Sequence, residues 1–515
     1  MGGLGGHMNH VYDNLNLSFS GLLDIYTQAA AGNLNPTEKV DGQNIFFTYN
    51  LRDNVAKFAR KSSEAASGGI TREALNAEFI RKRDASSDPE GYQAVVDAFN
   101  YGMTAIEQAL NNTPQNVLYT LFERAKEADL NDKTPHDVPT VFINCEVMYS
   151  KKRNMIMYDG DFIVFHTFKL FNENLDMLSE DELTKIDATM RQKFAAVVKE
   201  VEKSEQSVAD TQWRVVGPQS RELNILGEEF LEEVREKIEN ILQQHGMNLN
   251  NTHADFVAKG VADHIAQSPF TVAINEDVAE LLQRAVINPE EFAKSPGTLG
   301  SLSLPADTPG KSKSAARKKI ITNYIGGNRN DAALLSNYLS KTKSFRLVAA
   351  VLEPFAQITP GLTAQLMSGV PSAFMEDSEK GTKIFRRTVE LAIQYLENMF
   401  RGADLTDPKI ASLKNRYDKQ MKRLQSVDNI TTAMEGVVFE YPPMSRQYYK
   451  FTGGFAAANQ ILGLLGWEVK EDLTNQAFNE FNSNSSGTRI SEQRIRKMVR
   501  ESITRTYLSM LPRNR

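Results

Sequence analysis

Three short β-rich regions, separated by long helical stretches, constrain the fold of this chain more than any other feature. They lie at about residues 37–60, 140–168 and 435–451, where apolar and aromatic runs flank turn signals. The second region contains Asp159-Gly160-Asp161 between apolar runs, which predicts a β-hairpin. The expected fold class is therefore α+β, with an antiparallel-sheet core interrupted by large helical insertions.

The stretches between these regions carry apolar residues at three- and four-residue spacing, which is typical of helices. Helices are predicted over residues 179–205, 222–244, 276–294, 331–339, 383–400 and 409–425. The expected domains are a core of residues 1–168 plus 431–456, in which 61–139 is a mainly helical insertion, a helical insertion domain over 170–430 with a linker near 295–310, and a C-terminal helical segment over 457–515 with a basic tail.

The composition narrows the functional classes. Cys145 is the single cysteine among 515 residues, which excludes an internal disulfide and a cysteine-cluster metal site and favours a reducing, cytoplasmic location. No apolar run approaches the roughly 20 residues of a membrane span, so no membrane association is expected. The net charge of −6 means that a polyanion would need a local basic patch.

The first polar signature is Lys39, in the stretch Glu38-Lys39-Val40-Asp41-Gly42-Gln43-Asn44 before an aromatic strand. An amine in this setting can attack the α-phosphate of a nucleotide, provided that neighbouring positive charge or burial lowers its pKa. Taken alone, so short a pattern more often marks a surface lysine before an Asp-Gly turn.

Three further signatures occur in strand context. Glu146 follows an apolar run, where a ribose hydroxyl, a metal or a structural arginine would each satisfy its carboxylate. Glu435 comes at the start of an apolar strand, where it would either bind Mg²⁺ or face solvent. Lys450 is flanked by aromatic residues on a predicted strand. Its ammonium would either point into a cleft, or reach water from a strand at the edge of the sheet.

Together and in this order, these motifs resemble the covalent nucleotidyltransferase superfamily of ATP-dependent DNA and RNA ligases and capping enzymes. The chain is most similar to RNA ligases of the phage and RNA-editing type, which use a Glu-Lys-x-x-Gly-x-Asn element followed by a basic residue and Ser or Thr. Here the second element reads Val55-Ala56-Lys57-Phe58-Ala59-Arg60-Lys61-Ser62. The resemblance implies an ATP-grasp-like ligase core.

The resemblance also implies a role for each matching residue. Lys39 would carry the AMP, Lys450 would contact the α-phosphate, and Glu435 would bind metal. Glu146 would hold the ribose, and Arg60 or Lys61 would lie near the ribose or phosphate. Glu38 would contact the adenine, Phe165 and Phe168 would stack on the base, and Asp41, Gly42 and Asn44 would complete the nucleotide-binding element. Three positions depart from the family pattern. Cys145 replaces a glycine, Glu440 replaces a basic residue, and Lys450 lacks the second lysine of its motif.

The function implied is an ATP-dependent polynucleotide ligase that uses Mg²⁺ or Mn²⁺, with RNA favoured over DNA. Two alternatives stay open: a weakly active or inactive relative that serves as a phage structural or binding protein, and a GTP-using capping-type enzyme. A phage enzyme would act in the cytoplasm of its bacterial host. The helical insertion, or the basic residues between Arg489 and Arg515, would provide a surface for a protein partner or nucleic acid.

Overall fold

The computed structural model describes residues 8–51, 53–86, 89–122, 141–151, 156, 158–170, 180–266 and 348–482. The predicted linker near 295–310, the predicted helices at 276–294 and 331–339, and the basic tail from Arg489 to Arg515 lie outside the described residues.

The described strands are β1 (Asn9–His10), β2 (Thr37–Lys39), β3 (Gln43–Asn50), β4 (Val55–Ala59), β5 (Val141–Met148), β6 (Asp161–Leu170), β7 (Glu205–Val208), β8 (Thr211–Val216), β9 (Gly436–Glu440) and β10 (Tyr448–Phe451). The described helices are α1 (Phe19–Ala30), α2 (Ser62–Ala66), α3 (Arg72–Asp84), α4 (Pro89–Asn112), α5 (Gln115–Phe122), α6 (Glu180–Val201), α7 (Glu228–Gln244), α8 (His253–Ala266), α9 (Glu353–Leu366), α10 (Ser378–Arg401), α11 (Pro408–Leu424), α12 (Phe455–Leu462) and α13 (Trp467–Asn482), with short 3₁₀ turns at Val11–Asp13 and Val427–Asn429. The α+β fold class is confirmed at this level.

Within the described residues, six strands form one sheet in the order β4-β3-β5-β6-β8-β7. The predicted hairpin between β3 and β4 is present, and β5 pairs antiparallel with β6. The strands β4, β3, β5 and β6 pair antiparallel as expected, but β8 runs parallel to β6 over Asp161–Val164, so the sheet as a whole is mixed. The long helix α6 lies between these strands in sequence and allows the chain to return in the same direction.

A second set of strands joins the two ends of the core. Residues Thr37–Lys39 of β2 pair antiparallel with Gly436–Val438 of β9, and β9 pairs antiparallel with β10. The two strands of the third β region therefore form a hairpin, and β9 of this hairpin pairs with the strand that ends at Lys39.

The two faces of the six-stranded sheet differ in character because side chains alternate along each strand. Ile45, Phe47, Cys145 and Phe165 share one face and belong to a buried cluster with residues of α3, α4, α5 and α6. The opposite face carries Glu146. The second face, here called the polar face, carries Glu146 but also buries Phe46 and Phe142, so both faces of the sheet contribute to a core.

The chain divides into two compact units, and the boundaries differ from those predicted. The first unit comprises residues 1–8, 32–224 and 360–515, and the second comprises 9–31 and 225–359. Residues 170–224 belong to the first unit because β7 and β8 extend its sheet, which apolar periodicity did not reveal. No helix in the described part of the chain is long and apolar enough to cross a membrane.

The second unit contains an aromatic cluster around a buried histidine. The His253 ring contacts Phe19 and Phe355 edge-on, with centroid distances of 4.4 and 6.1 Å. Its Nδ1 lies 3.0 Å from the carbonyl oxygen of Asn14. Burial lowers the pKa of His253 to about 4, although hydrogen bonds to the carbonyls of Asn14 and Leu17 oppose this shift.

This histidine predicts an acid-sensitive second unit. The unfolded chain binds a proton at His253 near pH 6.5, whereas the folded unit binds it only near pH 4. Lowering the pH from 7 to 4 should therefore reduce the free energy of unfolding by about 3 kcal/mol through this residue. Urea unfolding monitored by hydrogen exchange in α8 would measure the loss. His253→Gln should remove most of this pH dependence, whereas the control His245→Gln should retain it.

Candidate active site

The geometry of the two ends of the core brings Lys39 and Glu435 together although they are 396 residues apart. Lys39 ends β2 opposite Gly436 of β9, and its Nζ lies 2.6 Å from Oε2 of Glu435. The two side chains are 20% and 17% exposed, so they form a partly buried ion pair that solvent still reaches. The structure thus brings two predicted site residues into direct contact.

Glu146 reaches the same place from β5. Its Oε1 accepts a hydrogen bond of 2.9 Å from the amide of Gly42, and its Oε2 lies 3.2 Å from Nε2 of His166. A Cβ at Gly42 would lie 2.7 Å from Cγ of Glu146 and 2.8 Å from the carbonyl oxygen of Val147. The motif therefore needs glycine at this position, since any side chain would displace the carboxylate.

His166 is a site residue that sequence reasoning missed. The register of β6 against β5 shifts between Asn144 and Cys145, which pair with Thr167 and Phe165, so His166 is the extra residue of a β-bulge. Strict alternation would not predict that His166 reaches Glu146, so only a signal for the bulge could have identified it.

The turn after Lys39 is held by a buried tyrosine. The amide of Asp41 donates a hydrogen bond of 2.7 Å to the hydroxyl of Tyr158. Asp41 also interacts electrostatically with Lys470 of α13. Burial lowers the pKa of Lys470, and the negative charge of Asp41 partly offsets that lowering. Val40 and Leu473 belong to the same buried cluster, which places α13 near this turn. Lys470 was also missed, because it lies outside every motif.

The charges at the site determine the protonation of Lys39. Burial lowers its pKa, but Glu435, Glu146 and Asp41 together raise it above the ordinary lysine value. The pKa of Glu435 is raised to about 7, chiefly by burial and also by the charges of Asp41 and Glu146, which together outweigh the lowering by Lys39. Burial also raises the pKa of Glu146, but His166 and Lys39 bring it below the usual range. Without bound nucleotide, Lys39 is therefore an ammonium among carboxylates.

Lys450 lies on the same face of the second sheet as Lys39. Thr37, Val438 and Lys450 are directly opposite one another across β2, β9 and β10. Since side chains two apart on a strand share a face, Lys39 and Lys450 share one, with Cα atoms about 12 Å apart at ordinary strand spacings. Lys450 is 7% exposed. It is a buried cation rather than an exposed edge-strand residue.

Glu38 lies on the other face of β2, so the structure does not bring it to the candidate site. Its carboxylate accepts hydrogen bonds from Nε of Arg221 (2.9 Å), from the amide of Ala373 (2.7 Å) and from the hydroxyl of Ser372. The predicted contact with adenine is therefore replaced by a buried polar cluster, because adjacent residues of a strand point in opposite directions.

Arg60 and Lys61 also point away from Lys39. The guanidinium of Arg60 lies 4.6 Å from the ring centroid of Phe99, among core aromatic residues. Lys61 pairs with Glu64 and Glu78 at the start of α2. The structure therefore does not bring these two cations, predicted to lie near the ribose or phosphate, to Lys39, since both contact residues of the helices that follow β4.

The aromatic residues predicted to stack on the base lie in the core. Phe165 is fully buried on the apolar face, 4.9 Å from Phe47 between ring centroids. Phe168 is 3% exposed and contacts Phe194. Both pack on the face opposite Glu146, because each pairs with a core-facing residue of β5. The structure therefore does not bring these two side chains, predicted to stack on the base, to the site of Lys39 and Glu146.

The other unusual positions have specific partners. Asn44 donates a hydrogen bond of 2.6 Å from Nδ2 to Oδ1 of Asn144, beside Glu146 on the polar face. Cys145 points into the core, where its thiol donates to the carbonyl of Ile45, so it does not narrow the space at Glu146.

Glu435 is the one carboxylate at this site that a divalent cation would use as a ligand. Within the described residues, no group of three or more His, Cys, Asp or Glu side chains is arranged to hold a metal. Mg²⁺ usually keeps several waters and takes one or two protein carboxylates together with substrate phosphates. Glu435, partly exposed and beside Lys39, is the residue that would hold it.

No protein-family model, no curated protein and no solved structure matches this chain.

Proposed function

We propose that this chain is an ATP-dependent nucleotidyltransferase that forms a lysyl-AMP at Lys39 and uses it to join RNA ends. One observation carries the proposal: Lys39 lies in contact with Glu435 and within electrostatic range of Glu146, although the three residues come from three separate β regions. A surface lysine before an Asp-Gly turn would not require this convergence.

In the proposed reaction, the Nζ of Lys39 loses a proton and attacks the α-phosphorus of ATP. A nitrogen–phosphorus bond forms, the bond from that phosphorus to the bridging oxygen breaks, and pyrophosphate leaves. The AMP then passes to a 5′-phosphate, and a 3′-hydroxyl displaces it to join the strands. Bound Mg²⁺ would neutralise charge on the phosphates.

The raised pKa of Lys39 makes proton removal a requirement of this mechanism. Glu435 is the nearest acceptor, with its Oε2 2.6 Å from Nζ of Lys39, and burial raises its pKa above the usual carboxyl range, which makes it a stronger base than an exposed carboxylate. Glu435 is thus placed either to accept this proton or to hold the metal, one at a time. Lys450, on the same face, would stabilise charge on the transferring phosphate.

Incubation with ATP labelled at the α-phosphate, in Mg²⁺, followed by a denaturing gel, tests the first step. The chain should retain label, Lys39→Ala should retain none, and Lys203→Ala, which removes an exposed lysine, should label like the unmodified chain. Labelled GTP in a parallel reaction identifies the base. Label from GTP alone would favour a capping-type enzyme.

A second candidate function is that of an inactive relative that binds nucleotide in a phage particle. The observation that favours it is the ion pair of Lys39 with Glu435, which keeps the amine protonated. Binding of ATP without covalent label in any metal would support this alternative and contradict the ligase. Sealing of nicked RNA, lost in Lys39→Ala, would support the ligase.

A further inference from the structure

A strip of partly exposed polar residues crosses β3, β5 and β6 on the polar face of the six-stranded sheet. We define this polar strip as Asn44, Asn144, Glu146, His166 and Thr167, all of intermediate exposure. Asn44 is directly opposite Glu146, and Asn144 is directly opposite Thr167. The β-bulge adds His166 beside these two pairs, so the five side chains lie next to one another on one surface.

Buried apolar residues border the polar strip on the same face. Met148 and Phe162 belong to one buried cluster, and Phe46 and Phe142 belong to another. Solvent therefore reaches the middle of the sheet between two apolar clusters. Apolar walls with a few placed polar groups are typical of a small-molecule site.

The carboxylate of Glu146 fixes the hydrogen-bonding role of His166. Burial raises the pKa of Glu146, but His166 and Lys39 lower it below the usual range, so the carboxylate is ionised at neutral pH. An ionised carboxylate only accepts hydrogen bonds, so Nε2 of His166, 3.2 Å from Oε2 of Glu146, is the donor. In the neutral ring Nδ1 is then an acceptor. Among the described residues, this nitrogen has no hydrogen-bond partner.

We propose that His166 binds the sugar of the nucleotide directly and makes the site select ribose over deoxyribose. Nδ1 of His166 and the carboxylate of Glu146 are neighbouring acceptors, and the two hydroxyls of a ribose are neighbouring donors. Each acceptor would receive one hydroxyl. Because Glu146 would hold the ribose in the proposed function, the assignment of His166 rests on that function.

The amide pair beside these acceptors leaves a donor for the same ligand. Oδ1 of Asn144 accepts from Nδ2 of Asn44 at 2.6 Å. In the described part of the chain, Nδ2 of Asn144 makes no hydrogen bond. The polar strip therefore offers two acceptors and one donor, as a hydroxylated ligand with a further acceptor atom requires.

Binding of radiolabelled AMP, measured by equilibrium dialysis with Mg²⁺ present, tests the role of His166. AMP has no pyrophosphate to lose, so it cannot react with Lys39. The competitors are unlabelled AMP, 2′-deoxy-AMP and 3′-deoxy-AMP. Each deoxy competitor should be about tenfold to hundredfold weaker than AMP in the unmodified chain, since it leaves one acceptor of the site unpaired.

The variants are His166→Phe, which removes both ring nitrogens, and His166→Gln, whose amide can still donate to Glu146. His166→Phe should lose the preference for at least one of the two hydroxyls, whereas His166→Gln should keep the preference for the hydroxyl that Glu146 holds. The matched control is His245→Phe, the same change at a partly exposed histidine of the second unit. It should keep both preferences, and the melting temperature of each variant checks its fold.

Equal competition by AMP and both deoxy forms in the unmodified chain would overturn the assignment of His166, and so would the absence of AMP binding. A folded His166→Phe that melts at a lower temperature but keeps both preferences would overturn it too, and would leave His166 a structural partner of Glu146. If Lys39 takes no label from ATP but the ribose preference depends on His166, the proposed function fails and the ribose site stands. Label at Lys39 without any ribose preference would give the reverse result.

Discussion

Replacing Glu38 with alanine should lower the free energy of unfolding of the first unit by about 3–5 kcal/mol, a typical cost of removing one partner of a buried charge pair. The Glu38 side chain has no exposed surface, and Arg221 is 16% exposed. Without the carboxylate, the Arg221 guanidinium, the hydroxyl of Ser372 and the amide of Ala373 would lose their shared acceptor. Denaturant unfolding monitored by tryptophan fluorescence measures the change.

The control for this substitution is Glu379→Ala, which removes an exposed glutamate that pairs with Lys383. It should change the free energy of unfolding by less than about 1 kcal/mol, as surface ion pairs do. The opposite pattern would contradict the structural role of Glu38. If Glu38→Ala unfolds like the unmodified chain but binds ATP more weakly, the residue contacts the nucleotide, as the motif resemblance implies.

Replacing Gly436 with alanine should lower the free energy of unfolding by a similar amount, and it should also disturb the strand pairing beside Lys39. A Cβ at this position would lie 2.0 Å from the carbonyl oxygen of Phe451 and 2.9 Å from Cα of Thr452. Both obstacles are backbone, so β9 and β10 would have to separate. We expect a loss of more than about 3 kcal/mol, in the range of severe overpacking.

Gly361→Ala provides the matched control, since a Cβ at Gly361 meets no atom within 4 Å and the residue lies inside α9. It should leave stability unchanged or raise it by about 0.5–1 kcal/mol, the helix preference of alanine over glycine. Thermal melting of both variants tests the pair. Equal melting temperatures would show that β9 and β10 tolerate the extra atom.

The sequence predicted best those features that depend on short-range patterns. The hairpin between β3 and β4 follows from an apolar alternation interrupted by a polar turn, and the pairing of β9 with β10 follows in the same way. The proximity of Lys39 and Glu435 was suggested by motif order alone. No local sequence pattern indicates this contact, because it joins residues that are 396 positions apart.

The direction of side chains was predicted less well. Phe165 matches an aromatic position of the motif, but its register against Cys145 turns the ring into the core. His166 reaches Glu146 only because a bulge breaks the alternation at that point. The resemblance places Arg60 or Lys61 near the ribose or phosphate, whereas the guanidinium of Arg60 lies against one phenylalanine ring of α3 and one of α4. These outcomes depend on packing between distant segments, which residue types and spacing do not specify.

The pairing of β2 with β9 also sets the order in which the chain can become functional during its synthesis. Lys39 leaves the ribosome long before Glu435, and at 5–20 residues per second the interval is about 20–80 seconds. During this time β2 lacks its neighbour β9, and the amine of Lys39 lacks its nearest carboxylate. A nascent chain that stops before β9 therefore contains Lys39 but cannot form the ion pair between Lys39 and Glu435.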